Sequence, residues 1–103
     1  MLTKKFLLFF ILILLASFSW GQEQVVINGK VLNDADDAPL ENVNIVNLNN
    51  VRGTTSTKEG DFALRATVND TIYFSYLGFK SIRVRVTNDW LKYGSVKVKM
   101  TEL

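Results

Sequence analysis

The 103-residue chain has no cysteine and no histidine, and its one proline is Pro39. Without cysteine there is no disulfide framework, no thiolate nucleophile and no Cys-rich zinc site. Without histidine there is no imidazole for acid–base work, and the serines and threonines lack the partner that most often activates a hydroxyl. Zinc peptidase chemistry, which leans on histidine ligands, is excluded on the same ground. No cofactor is expected. Gly/Ser linkers, low-complexity tracts and internal repeats are also missing, and the length suits a single domain. Excess charge is lacking too. Lys and Arg number 12 against 10 Asp and Glu, for a formal net charge of +2, and two of the basic residues are Lys4 and Lys5. The rest of the chain is balanced, so nucleic acid is not an expected partner.

What is present begins with a distinct N-terminus. Lys4 and Lys5 precede an uninterrupted apolar run at residues 6–15, and Ser19-Trp20-Gly21 places small residues where a signal peptidase reads. Positive, apolar and small-residue regions in that order are the signature of a secretory signal. Residues 1–21 are therefore expected to be a signal peptide and 22–103 the exported domain. The rival is an uncleaved anchor, but the apolar stretch is about ten to thirteen residues long and a spanning helix needs roughly 20. No membrane span is expected after cleavage. Without a cysteine or disulfide, the exported domain must hold together by core packing.

Period-two patterning dominates from Val25 onward. Val25, Ile27 and Val31 share a face with Gly29. Phe62, Leu64 and Ala66 alternate with Ala63 and Arg65. Ile72, Phe74 and Tyr76 alternate with Tyr73 and Ser75; Ile82, Val84 and Val86 with Arg83 and Arg85; Val96, Val98 and Met100 with Lys97 and Lys99. Each run has one apolar and one more polar face, as a half-buried strand requires. In residues 43–48 the apolar positions change parity at Val46, which predicts a bulge or burial on both faces.

Turn signals separate the runs. Residues 33–39 form a polar connection; Asn49-Asn50 tolerates left-handed backbone and can close a hairpin. Lys58-Glu59-Gly60 fits a three-residue hairpin loop, with Gly60 supplying a positive φ. Asn69-Asp70 reads as a tight turn, in preference to the glycosylation sequon that Asn69-Asp70-Thr71 also matches. Leu77-Gly78 breaks a strand. Residues 89–93 can form a helical turn with Asn88 or Asp89 as cap and Gly94 as stop. Six or seven short antiparallel strands at this spacing make a sandwich or a small barrel, and the sandwich is preferred.

Four segments carry a family resemblance. Ile27-Asn28-Gly29-Lys30-Val31 matches "hydrophobic-x-G-x-V"; Ala38-Pro39-Leu40-Glu41-Asn42-Val43-Asn44-Ile45 follows "x-P-L-x-x-V-x-V". Gly53-Thr54-Thr55-Ser56-Thr57-Lys58-Glu59-Gly60-Asp61-Phe62 follows "G-T-x-T-D-x-x-G-x-F", and Asp70-Thr71-Ile72-Tyr73-Phe74-Ser75-Tyr76-Leu77-Gly78-Phe79 follows "D-x-L-x-F-S-Y-x-G-Y". In order and spacing, residues 25–101 resemble the carboxypeptidase regulatory-like domain family. The resemblance implies a seven-stranded antiparallel Greek-key sandwich of prealbumin (transthyretin-like) type. Gly29, Pro39, Gly60, Phe62, Tyr76, Gly78 and Phe79 would be its structural motif residues. Two departures are visible: no acidic residue follows the threonine in Ser56-Thr57-Lys58, and Phe79 stands where tyrosine is usual. The resemblance implies a non-catalytic accessory module, without the peptidase it accompanies elsewhere. It further implies the bacterial cell envelope, in the periplasm or at the outer membrane. There the domain would be free-standing or the truncated N-terminal domain of a TonB-dependent receptor, touching envelope proteins through strand edges.

Few residues offer binding chemistry. Asp34, Asp36, Asp37 and Glu41 cluster in one connection and raise a calcium site, but the run lacks the spaced ligands of an EF-hand loop, and a solvated turn is preferred. Trp90, Tyr93 and Tyr73 raise an alternative function, a small carbohydrate-binding module with stacking platforms, against which Trp90 and Tyr93 would cap the core. Arg83, Arg85, Lys97 and Lys99 would form one basic stripe if their strands pair, most simply as a soluble, guarded face.

Overall fold

The computed structural model describes residues 24–103. The expected signal peptide, residues 1–21, lies outside the described residues. Seven strands and one short helix follow: β1 (Val25–Asn33), β2 (Asn44–Asn47), β3 (Arg52–Thr55), β4 (Asp61–Ala66), β5 (Thr71–Ser75), β6 (Ile82–Arg85), α1 (Asn88–Tyr93) and β7 (Ser95–Met100). They form a three-stranded sheet of order β4-β1-β7 and a four-stranded sheet of order β3-β2-β5-β6. The two layers make the expected all-β sandwich, and the chain crosses between them four times.

Alternation decides which side chains meet between the layers. Phe62, Leu64 and Ala66 of β4, Ile72 and Phe74 of β5, and Val98 and Met100 of β7 are buried, while their chain neighbours face outward. Phe62 lies at the centre, edge-on to Phe74 at 5.5 Å and to Trp90 at 6.4 Å between ring centroids. Gly29 is its cross-strand partner. A Cβ on Gly29 would lie 2.5 Å from the Phe62 ring and 2.9 Å from the Val96 carbonyl oxygen, so the ring occupies the space that a side chain would take.

Four expectations need correction. First, not every pair is antiparallel: β1 and β7 run parallel, in register Asn28↔Ser95 through Asn33↔Met100. α1 crosses the end of the sandwich where β6 finishes, so β7 starts at the end where β1 starts. Second, residues 56–60 are not a hairpin loop within one sheet, because β3 and β4 belong to different sheets. The turn itself closes as expected, with the Gly60 amide donating to the Thr57 carbonyl at 2.9 Å and Gly60 at φ 82°. Chain reversal is switched between layers by Ser56, whose buried hydroxyl donates to the Leu40 carbonyl at 2.6 Å and accepts from the Val43 amide at 2.9 Å. Third, of the two alternatives for β2 the bulge is absent, since the strand pairs regularly with β3 and β5, while burial on both faces holds in part. The parity change arises because a polar residue, Asn47, takes the inward position while Val46 is half-buried on the outer face. Fourth, the helix cap is Thr87, whose hydroxyl accepts from the Trp90 amide at 3.2 Å; neither Asn88 nor Asp89 serves. Gly94 ends the helix with φ 82° as expected.

Candidate interaction surface

Asn47 is fully buried and organises one end of the sandwich. Its Nδ2 donates to Asp70 Oδ2 at 2.8 Å and to the Arg65 carbonyl at 3.2 Å; its Oδ1 accepts from the Asn49 amide at 2.9 Å. Asp70 also accepts from the Thr67 amide and hydroxyl at 2.9 and 3.0 Å. Burial alone would raise the Asp70 pKa, but the hydrogen bonds from Asn47 and Thr67 outweigh it and hold the carboxyl below its ordinary value. These bonds tie β2 to the ends of β4 and β5. The network is structural: among the described residues no buried side-chain polar atom is left without a partner. Nothing in the sequence distinguishes Asn47 from Asn49 and Asn50 beyond its inward parity.

The acidic connection does not assemble a cation site. Asp36 Oδ1 accepts from the Ala38 amide at 3.0 Å, and Asp37 pairs with Lys99 at 3.2 Å. Asp34 and Glu41 are exposed, and among the described residues no three acidic side chains converge. The run turns the chain so that Pro39 bridges back to Leu32.

The three aromatic candidates are likewise dispersed. Trp90 is 3% exposed, and its indole N–H donates to the Asn28 carbonyl at 2.8 Å. It is a core residue and offers no open ring face to a sugar, which corrects its reading as a stacking platform. Tyr93 is 74% exposed at the end of α1, with the Lys92 ammonium 5.9 Å from its ring centroid. Tyr73 is half-buried on the outer face of β5 under the Arg83 guanidinium, also at 5.9 Å. Nor do the four basic residues form one stripe. β6 and β7 lie in different sheets, so Arg83 and Arg85 project from one outer face and Lys97 and Lys99 from the other. Lys97 and Lys99 line a pocket with Lys30, Asp37, Leu32 and Pro39.

The motif residues hold the frame. Gly60 accommodates both its positive φ and the Val31 carbonyl oxygen, which would lie 2.5 Å from a Cβ there. Gly78, at φ 87°, turns the chain between β5 and β6, and Tyr76 packs on Phe79 at 5.3 Å across that turn. Leu77 at its tip is 97% exposed.

The sheet edges remain. β3 and β4 adjoin on one side of the sandwich, which leaves β6 and β7 on the other. Among the described residues, backbone bonds join the two at one end, and α1 connects them at the other. At one end Phe79 bridges to Glu102 and the Lys80 amide donates to the Thr101 carbonyl at 2.9 Å; at the other, α1 crosses over. Between the two edges, Ile82, Val84 and Val96 are half-buried against the core. Sequence pattern could show these side chains as inward; it could not show that none of the described strands covers them.

The described residues form a two-layer, all-β sandwich. The model of the CarboxypepD_reg-like domain family matches residues 27–102, and the chain belongs to that family. This is a regulatory, non-catalytic domain family. No curated protein matches the chain in sequence.

Proposed function

We propose that this domain is an exported, non-catalytic interaction module of the bacterial cell envelope, which engages a partner protein by strand addition at a free sheet edge. One observation carries the reading: β6 and β7 are edge strands on the same side of the sandwich, with a half-buried apolar row between them. An exposed edge presents unpaired backbone donors and acceptors, and an added strand satisfies them while alternate side chains fill the space beside it. The N-terminal pattern of the sequence supports export, and the family supports an accessory role beside a larger partner, of which a TonB-dependent outer-membrane receptor is the proposed example. The carbohydrate reading loses its main platform with the burial of Trp90 and is not retained.

The test is expression of the full chain with a C-terminal tag in a bacterial host, followed by fractionation, N-terminal sequencing and in-cell cross-linking. The expected result is a periplasmic or outer-membrane-associated product starting at Gln22 and cross-linked to an envelope protein. An uncleaved cytosolic product would refute the proposal. A reading frame continuing past Leu103 into a plug and barrel would establish the receptor context.

A further inference from the structure

We infer that the edge of β6 is the docking strand, and that its partner is an extended segment alternating acidic and apolar residues. The inference rests on the interaction-module reading above and adds the site and the chemistry of the occupant. Among the described strands β6 pairs with β5 alone, leaving its other edge open. Its side chains alternate strictly: Ile82 and Val84 point inward and are half-buried, Arg83 and Arg85 point outward and are exposed. A strand laid along this edge would set its inward residues over the Ile82, Val84 and Val96 row. Its outward residues would stand beside the two arginines, about 5 Å away at cross-strand spacing.

Charge selects the partner. Among the described residues the ion pairs are Lys30–Asp61 and Lys99–Asp37, and neither arginine takes part in one. Arg83 is steadied by the Tyr73 ring, its cross-strand neighbour, which holds the guanidinium over the sheet beside the edge. A second copy of this chain pairing through β6 would bring arginine against arginine, and like charges directly opposite destabilise a pair. The same pair of guanidiniums rewards carboxylates at alternate positions, which they can grip with two parallel hydrogen bonds. The β7 edge is the weaker rival, because Lys99 is already neutralised by Asp37.

The test is an amide NMR titration of the protein with a capped peptide containing Glu-Val-Glu-Val. A Lys-Val-Lys-Val peptide and a block-rearranged Val-Val-Glu-Glu peptide are the comparisons. Shifts and slowed amide exchange are expected at residues 81–86. R83E/R85E should bind the acidic peptide about tenfold more weakly and should prefer the lysine peptide. R83Q/R85Q, which removes attraction without adding repulsion, should fall between and serves if the reversed variant is poorly folded. Shifts centred on β7, equal binding of the rearranged peptide, or unchanged affinity in R83E/R85E would overturn the inference. If envelope cross-linking persists in R83E/R85E, the β6 assignment fails while the module reading stands.

Discussion

Gly29→Ala tests whether the core is built around the Phe62 ring. Carbon atoms in ordinary contact sit about 3.5–4.0 Å apart, and the new methyl would lie 2.5 Å from Phe62 Cζ. The ring must therefore retreat by about 1 Å, or the strands must part. Retreat is blocked on two sides by Phe74 and Trp90. Parting is opposed by the Val96 carbonyl of β7, which is backbone. Forcing an extra methyl into a packed core costs about 1–3 kcal/mol. Disturbing two edge-to-face aromatic pairs adds about 0.5–1.5 kcal/mol each where the geometry is lost. Reduced unfolded-state entropy returns about 0.5–1 kcal/mol. The expected net loss is about 2–3 kcal/mol, a large share of the roughly 4–12 kcal/mol of a domain this size. Urea unfolding followed by circular dichroism should show a lower midpoint at constant slope, and Tm should fall by about 10–20 °C. In a double-mutant cycle with Phe62→Leu, which takes the ring away from Gly29, the two changes should couple by at least about 1 kcal/mol. A Gly29→Ala protein within about 0.5 kcal/mol of wild type, or an additive cycle, would refute the packing argument.

Other consequences follow from single residues. Val51 is 83% exposed at φ 59°, a conformation that β-branched residues avoid; Val51→Asn should raise stability by about 1 kcal/mol in the same urea assay. Asp70 has a lowered folded pKa, so the unfolded chain takes up the proton first as pH drops. Its contribution is complete above about pH 5 and fades as pH falls through the carboxylate range. In melts from pH 7 to pH 2, the gap between wild type and Asp70→Asn should narrow steadily, and a constant gap would contradict the network. Trp90→Phe removes the donor to the Asn28 carbonyl and should cost about 1–2 kcal/mol, while oligosaccharides should leave the Trp90 fluorescence of the wild type unchanged.

Sequence alone determined the local grammar of this domain. Alternation in β4, β5, β6 and β7 named the inward side chains, since a strand can bury only every second residue on one face. Gly60 marked a left-handed turn because only glycine enters that region freely, Gly78 a break between strands and Gly94 the stop of the helix. Tertiary structure decided partnership. Period two says which face a residue takes but not which strand lies beside it, so the parallel β1–β7 pair and the separation of Arg83 and Arg85 from Lys97 and Lys99 were not legible. Nor was the inward turn of Asn47, whose burial is tolerable only because Asp70, 23 residues away along the chain, arrives to receive its amide. The open edge of β6 belongs to the same class: a free edge is a property of the arrangement of strands, and no residue within the strand encodes it.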